Sequence, residues 1–366
     1  MAESSKGRAG LVIGAVVTLV ALGAAVWVVR WHGVDVGDVA RAVAGPSDVI
    51  ATVPPGSPLP EQPVKLLALT GPLAEARAEV SGLAWAGDAL LLLPQYPERL
   101  GEGAGAIFAL DRGAISAAVV SDTTLTPRPI PLIGDVPNDI DRYEGFEAIA
   151  TRGDRVWLTI ERTVGGPDDP AGDLVWGTLT DEGLRIEGHA PIAPQATISN
   201  KAYEALIALP EGPVAFYEIN GGAHNPSPHA VAFTPAGRSV SEPPMPPLAY
   251  RLTDATGLDR EGRFWVINYL WPGDHELVQE EEALRTAYNV GPTHAAAPQV
   301  ERLVQLQLKR DGERTEVVRV DRAPVYLRLG EAPRNWEGIA WWGADAVLVV
   351  TDEHPGTMLG VVQLRP

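Results

Sequence analysis

The sequence predicts an all-β protein, a β-propeller with five visible blades, preceded by one N-terminal transmembrane helix. Three observations support this fold class. The chain contains 38 Gly and 33 Pro among 366 residues, a density that argues against long helices. One hairpin-like phrase recurs five times along the chain. A long uncharged apolar run lies near the N-terminus.

The apolar run comes first in chain order. Lys6 and Arg8 precede an uncharged segment from Ala9 to Val29, which Arg30 closes. A helix of this length can cross a hydrocarbon core of about 30 Å, and the leading cations favour a cytoplasmic N-terminus. We therefore expect residues 1–30 to form a cytoplasmic stub and a single-pass anchor in a bacterial cytoplasmic membrane, with the propeller on the periplasmic side. A cleaved signal peptide is the alternative.

Composition limits the remaining possibilities. Residues 31–62 are predicted to form a Pro-rich linker, and residues 63–366 the propeller. The absence of Cys excludes disulfides, thiol nucleophiles and Cys-ligated metals. A formal charge of −18 disfavours nucleic acid as a partner. The chain has no GxSxG, HExxH, Walker or GxGxxG motif, so the enzyme classes that use them lack support.

The recurring phrase predicts the blades. Each copy has a polar residue, a small residue, a short apolar strand, a turn with Gly or Asp, and a strongly apolar strand, which together indicate a β-hairpin. Copies lie roughly 50–80 residues apart, which suits one four-stranded blade per copy. The strand at 64–71 is expected to complete the last blade and close the ring. A sixth blade is the alternative to five, because residues 112–143 and 271–300 are not assigned to any blade.

Polar residues recur where each hairpin begins and ends, and in an antiparallel hairpin these two points share one face. The hairpins begin at Ser81, Glu147, Glu204, Thr256 and Glu337, and end at Gln95, Glu161, Glu218, Asn268 and Asp352. This arrangement predicts a ring of oxygen atoms around one mouth of the central channel. Such a ring must be protonated, paired or bridged by a cation. Since calcium takes six to eight oxygen ligands, we expect a calcium site at Glu147, Glu204 and Glu337. Capping or ion pairing of each carboxylate within its own blade is the alternative.

Cations precede the same five positions, at Arg77, Arg142, Lys201, Arg251 and Arg334. We expect Arg142, Lys201 and Arg334 to bind an anionic small-molecule ester, with simple salt bridging to the acidic ring as the alternative.

Three residues near the ends of the hairpins are candidate catalytic groups: Glu161, Asp352 and His354. His354 follows a strand end and suits general acid or base chemistry. A solvated loop histidine is the alternative.

Two phrases resemble a known family. The segments YEGFEAIATRGDRVWLTIE (143–161) and NWEGIAWWGADAVLVVTDE (335–353) are similar to the blade phrases of phytase-like esterase β-propellers. More distantly, they resemble calcium-binding propellers with lactonase or phosphatase activity. The resemblance covers about 64–366 and implies that Glu147, Glu161, Glu337 and Asp352 lie in the channel mouth.

These observations lead to two expectations about function. The first is calcium-assisted hydrolysis of an ester or phosphoester at the channel mouth. The second is a non-catalytic platform that binds envelope proteins or glycans, with residues 271–299 as the contact to a protein partner.

Overall fold

The computed structural model describes residues 57–365, apart from 76, 135, 167–168, 278–282, 313 and 354–355. The predicted anchor, most of the predicted linker and His354 lie outside the described residues, so these assignments stay predictions. Within the described part, no helix combines the length and the apolar character that a membrane span needs.

The described residues form five β-sheet blades preceded by two short strands, β1 (Glu61–Gln62) and β2 (Lys65–Leu67). Blade one contains β3 (Val80–Ala86), β4 (Ala89–Pro94), β5 (Ala106–Asp111) and β6 (Arg128–Ile133). Blade two contains β7 (Tyr143–Arg152), β8 (Arg155–Thr163), β9 (Pro170–Thr180) and β10 (Gly183–Ile192). Blade three contains β11 (Tyr203–Leu209), β12 (Gly212–Tyr217), β13 (Ala230–Phe233) and β14 (Ser239–Ser241).

Blades four and five are completed by segments from elsewhere in the chain. Blade four contains β15 (Arg251–Ala255), β16 (Arg263–Leu270), β17 (Val300–Asp311) and β18 (Arg314–Arg319), with β19 (Val325–Leu327) beside β17 and β1 beside β19. Blade five contains β20 (Trp336–Trp342), β21 (Ala346–Thr351) and β22 (Leu359–Gln363), and its fourth strand is β2.

The strand pairing closes the blades into a ring. The innermost strands contact one another in the cyclic order β3, β7, β11, β15, β20 and back to β3. β2 pairs antiparallel with β22, with Lys65 opposite Val361. The predicted closing strand is therefore confirmed. Blades one and two are also joined at their outer edges, where β6 and β10 pair in parallel.

The first unassigned segment contains the outer strand of blade one, the second is an insertion in blade four, and the described residues contain no sixth blade. In the first segment, α1 (Arg112–Ser121) lies between β5 and β6 of blade one, and α2 (Val136–Asp139) connects blades one and two. Within blade four, α3 (Ala283–Ala287) and α4 (Pro292–Ala295) lie between β16 and β17. Short 3₁₀ turns occur at Pro72–Ala74, Pro97–Arg99 and His275–Leu277.

The core lies between neighbouring blades. In β4 the four consecutive residues Leu90 to Leu93 are all fully buried, because both faces of the strand are covered. Gly338 shows how closely the inner strands approach. A Cβ atom there would lie 3.0 Å from Leu83 of blade one and 2.5 Å from Val350, which explains the small residue in the recurring phrase.

The end of the predicted linker belongs to the fold. Leu59 is buried, and β1 pairs in parallel with β19. The buried carboxylate of Glu61 accepts hydrogen bonds from the backbone N–H groups of Thr293 and His294 and lies 2.9 Å from His294 Nδ1. An extended, Pro-rich segment is suited to a lone edge strand.

Candidate functional site

Each innermost strand contains a β-bulge near its first residues. The register shifts in all five hairpins, and the residues left unpaired at the equivalent position are Ser81, Glu147, Glu204, Thr253 and Glu337. A bulge leaves one residue out of the ladder and redirects its side chain. The same β-bulge, repeated in every blade, therefore positions the polar residues of the recurring phrase.

Blade four corrects the predicted alignment. Its bulge residue is Thr253 and not Thr256, because the inner strand of this blade is Arg251–Ala255. Thr256 follows that strand at its other end, where its Oγ1 accepts a hydrogen bond from the backbone N–H of Trp265 at 3.0 Å. The error arises because residues 256–268 match the composition of the recurring phrase, although the inner strand of this blade ends before them.

Arg251 forms the centre of a buried charge network. Its Nε lies 2.6 Å from Glu218 Oε2, and its Nη2 lies 2.9 Å from Glu204 Oε1 and 3.4 Å from Glu337 Oε1. Lys201 Nζ adds a second cation 3.4 Å from Glu218 Oε2. All five residues are buried, so carboxylates from blades three and five meet at one guanidinium from blade four.

Two amides extend this network. The side chain of Asn335 donates to Glu337 at 2.7 Å and to Asp352 at 3.2 Å. The side chain of Gln95 donates to Glu147 at 3.1 Å. Together with Glu161, these carboxyls form a group that we call the acidic cluster: Glu147, Glu161, Glu204, Glu218, Glu337 and Asp352. Within it, Arg251 forms ion pairs with Glu204, Glu218 and Glu337, and Lys201 pairs with Glu218.

The acidic cluster contains groups whose pKa values move in opposite directions. Burial, with Glu218 nearby, raises the pKa of Glu161 to about 8. Burial, with Asp352 nearby, raises the pKa of Glu337 to about 8. Burial acts in the same direction on Glu218, but Lys201 and Arg251 outweigh it and hold its pKa below the ordinary value. Protonated and ionised carboxyls side by side are the arrangement used in acid–base catalysis.

Burial also raises the pKa of the remaining members of the acidic cluster. The pKa of Glu147 lies well above its ordinary value because the side chain is buried next to Glu161 and Glu337. The pKa of Glu204 is raised by burial even though Arg251 opposes the shift. Burial raises the pKa of Asp352, although the backbone N–H of Glu353 and the amide of Asn335 oppose it. The pKa is therefore raised in every member of the acidic cluster except Glu218.

Two carboxyl oxygens in the acidic cluster lack a partner. Glu161 Oε1 and Asp352 Oδ1 are buried and have no hydrogen-bond partner within the described ranges. The residue Glu161 is only 3% exposed. Such atoms are uncommon in folded proteins and usually mark a ligand, water or catalytic role. Both residues are candidate catalytic groups by sequence.

The network gives no support to the predicted calcium site. Among the residues that the structure describes, no three His, Asp or Glu side chains are placed to hold a metal ion. The guanidinium of Arg251 connects Glu204 and Glu337. The calcium site at Glu147, Glu204 and Glu337 stays an untested prediction.

Only one of the three predicted substrate-binding cations reaches the acidic cluster. Lys201 pairs with Glu218. Arg142 instead donates to the backbone carbonyl of Val164 at 2.8 Å. Arg334 pairs with the buried Glu301 at 2.7 Å and lies over the ring of Trp336.

Arg251 and Glu218 occupy positions that recur in every blade, but neither is among the site residues predicted from the sequence. Arg251 differs from the three predicted cations in its position relative to the inner strand. It is the first residue of β15, whereas Arg142, Lys201 and Arg334 precede their strands. A cation inside the inner strand lies close enough to the axis to reach carboxylates of other blades.

Comparison with known proteins finds similarity in structure alone. No protein-family model matches the chain, and no curated protein matches it in sequence. An arabinanase from Bacillus subtilis is 11% identical, covering 82% of this chain and 94% of that chain, with a TM-score of 0.40. A glucose dehydrogenase is 15% identical, covering 79% and 98%, with a TM-score of 0.42. A mannose phosphorylase from Leishmania mexicana is 10% identical, covering 81% and 86%, with a TM-score of 0.42.

At these TM-scores the similarity carries no argument about activity. The propeller assignment rests on the strand pairings and on the closed ring of inner strands. The resemblance to phytase-like esterase propellers stays a prediction.

Proposed function

We propose that the channel mouth is an acid–base hydrolytic site for an uncharged ester. Asp352 accepts a proton from the attacking water, and Glu161 donates a proton to the leaving oxygen. The observation that carries this proposal is the pair of buried carboxyl oxygens without a partner, Glu161 Oε1 and Asp352 Oδ1. Leaving a buried polar atom unpaired costs about 1–3 kcal/mol, and binding of a substrate or water would offset that cost.

The pKa values support these two roles. A general acid must hold its proton near neutral pH, and the pKa of Glu161 is raised to about 8. Burial raises the pKa of Asp352, while the backbone N–H of Glu353 and the amide of Asn335 favour its ionised form, which is the form that accepts a proton from water. The amide of Asn335, which donates to Asp352 Oδ2, orients this carboxylate.

The charges of the acidic cluster favour an uncharged substrate over a phosphoester. Both nearby cations, Lys201 and Arg251, already pair with Glu218. Arg142 and Arg334 are bonded elsewhere. Both cations are therefore already neutralised by carboxylates, and Glu218, whose pKa is lowered, carries a negative charge that repels a phosphate group.

The test is an activity assay with purified full-length protein on alkyl esters and on a matching phosphoester, with added calcium and with a chelator. We expect hydrolysis of the ester, little or none of the phosphoester, and no effect of the chelator. Glu161→Gln and Asp352→Asn should each lower kcat/KM by about 10²- to 10⁴-fold. The rate should fall above pH 8 as Glu161 loses its proton.

The matched control is Glu211→Gln, because Glu211 is an exposed glutamate that pairs with Arg310 on the outer surface. It should leave kcat/KM within about twofold of wild type, as expected for an exposed ion pair. Absence of ester hydrolysis in wild type, or unchanged kcat/KM in Glu161→Gln, would contradict the proposal.

A further inference from the structure

A small pocket lies beside Arg251. Its cavity volume is about 10 Å³, close to the space that one water molecule needs. The lining combines apolar side chains with polar residues. The residues that matter here are Ile219, Leu248, Leu270, Leu277, Arg251 and Asp274.

The size and lining of this pocket select the group that it can hold. A cavity of this volume accepts a group about as large as a water molecule or a methyl. Leu248 and Leu270 are buried leucines, and the part of the pocket that they line favours a methyl group over a hydroxyl, which would lose its hydrogen bonds there.

Arg251 supplies a donor at the edge of the pocket. Its Nε and Nη2 atoms contact the acidic cluster. Its Nη1 makes no hydrogen bond within the part of the chain that the structure describes. A guanidinium carries five N–H donors in a fixed plane, so Nη1 remains available for a ligand. A preorganised donor of this kind stabilises the negative charge that develops on a carbonyl oxygen.

Asp274 favours a neutral ligand. It lines the same pocket and interacts electrostatically with Arg251. The carboxylate of Asp274 opposes the binding of a negatively charged ligand in this pocket. The pocket therefore suits an uncharged acyl group better than the free acid.

We propose that this pocket is the acyl subsite of the hydrolase and that the substrates are acetate esters of alcohols. The methyl group of the acetyl unit occupies the apolar pocket, and Arg251 Nη1 donates a hydrogen bond to the ester carbonyl oxygen. This proposal rests on the proposed function and names its substrate class.

The reaction balances with water as the only co-reactant. The water oxygen bonds to the acyl carbon while its proton passes to Asp352, and the carbonyl electron pair moves to the oxygen next to Arg251. The C–O bond to the alcohol then breaks, and the proton of Glu161 passes to the leaving oxygen. The products are acetic acid and the alcohol, and proton exchange with solvent restores both carboxyls.

Acyl chain length is the measurement that tests the subsite. Acetyl, propionyl, butyryl and hexanoyl esters of one alcohol are compared with the full-length protein. We expect kcat/KM to fall at least tenfold from acetyl to butyryl. Leu277→Ala shortens a wall that is half-buried, and it should raise the butyryl-to-acetyl ratio of kcat/KM at least tenfold. The control is Leu179→Ala, a half-buried leucine on blade two, which should leave the ratio unchanged.

A binding measurement separates the subsite from the chemistry. Ligand-observed NMR with acetamide and butyramide should show wild type binding acetamide alone and Leu277→Ala binding both. Ester hydrolysis that depends on Glu161 but not on acyl length would overturn the subsite and leave the proposed function standing. Selective acetamide binding without hydrolysis would support the subsite and overturn the proposed function. No acetamide binding would overturn the subsite.

Discussion

Blades one and four differ from blades two, three and five in the residue at the bulge of the inner strand. In blades one and four the bulge residue is a hydroxyl, and each hydroxyl donates to the inner strand of the next blade. Ser81 Oγ lies 2.7 Å from the carbonyl oxygen of Phe146, and Thr253 Oγ1 lies 2.7 Å from that of Trp336. In the other three blades the bulge residue is a glutamate that belongs to the acidic cluster.

This difference has a chemical cause. A hydroxyl can donate a hydrogen bond to a backbone carbonyl, so it finds its partner within the ring and links neighbouring blades. A carboxyl group has two oxygens and at most one proton, so at least one of its oxygens needs a cation, an amide or a ligand as its partner. The same backbone bulge therefore holds the ring together in two blades and builds the candidate site in three.

The largest effect is expected on removing the cation that the glutamates share. Arg251→Met leaves Glu204, Glu218 and Glu337 buried without their guanidinium. Breaking a buried ion pair from one side costs about 3–5 kcal/mol, and urea denaturation should show a loss of that size in the free energy of unfolding.

A surface ion pair provides the control for this loss. Arg310→Met removes the exposed pair with Glu211, and it should cost less than about 1 kcal/mol. Equal losses for the two arginine variants would remove the distinction between the acidic cluster and ordinary surface ion pairing.

The glutamate sites should also make stability depend on pH. Glu161 and Glu337 have folded-state pKa values raised to about 8. Their contribution is fully present below the unfolded pKa, near 4.3, and is lost as pH rises through about 8. Each group changes the free energy of unfolding by at most ~1.4 kcal/mol per pH unit. Denaturation between pH 5 and 8 should show a falling stability that Glu161→Gln or Glu337→Gln makes flatter. A slope unchanged by both variants would show that these carboxyls are ionised throughout.

The hydroxyl sites should have a smaller effect that does not depend on pH. Thr253→Val keeps the shape of the side chain but removes the donor to Trp336, and Ser81→Ala removes the donor to Phe146. Loss of one buried hydrogen bond costs about 1 kcal/mol, and the pH slope should stay as in wild type. Thr315→Val on the outer strand β18 is the control and should change stability by less than about 0.5 kcal/mol. An altered pH slope in Thr253→Val would mean that the hydroxyl blades also contribute to the charge network.

Much of the fold could be predicted because it depends on short-range patterns. Turn residues between apolar strands mark each hairpin, and an unpaired apolar strand at 64–71 indicates the closing partner of β22. The blade-four register could not be predicted in the same way. Both Arg251–Ala255 and the segment from Thr256 resemble strand starts, and the choice between them depends on packing against blades three and five.

The sequence alone determined the mostly β architecture, the five recurring hairpins and the placement of carboxyls at one end of them, because each follows from residues close together in the chain. It also indicated the closing strand at 64–71, because that apolar strand has no partner nearby in the chain. Only the tertiary structure decided which carboxyls meet Arg251, why Arg142 and Arg334 lie outside the acidic cluster, and which oxygens are left without partners. Those outcomes depend on distances between side chains of different blades, and such distances exist only once the ring has closed.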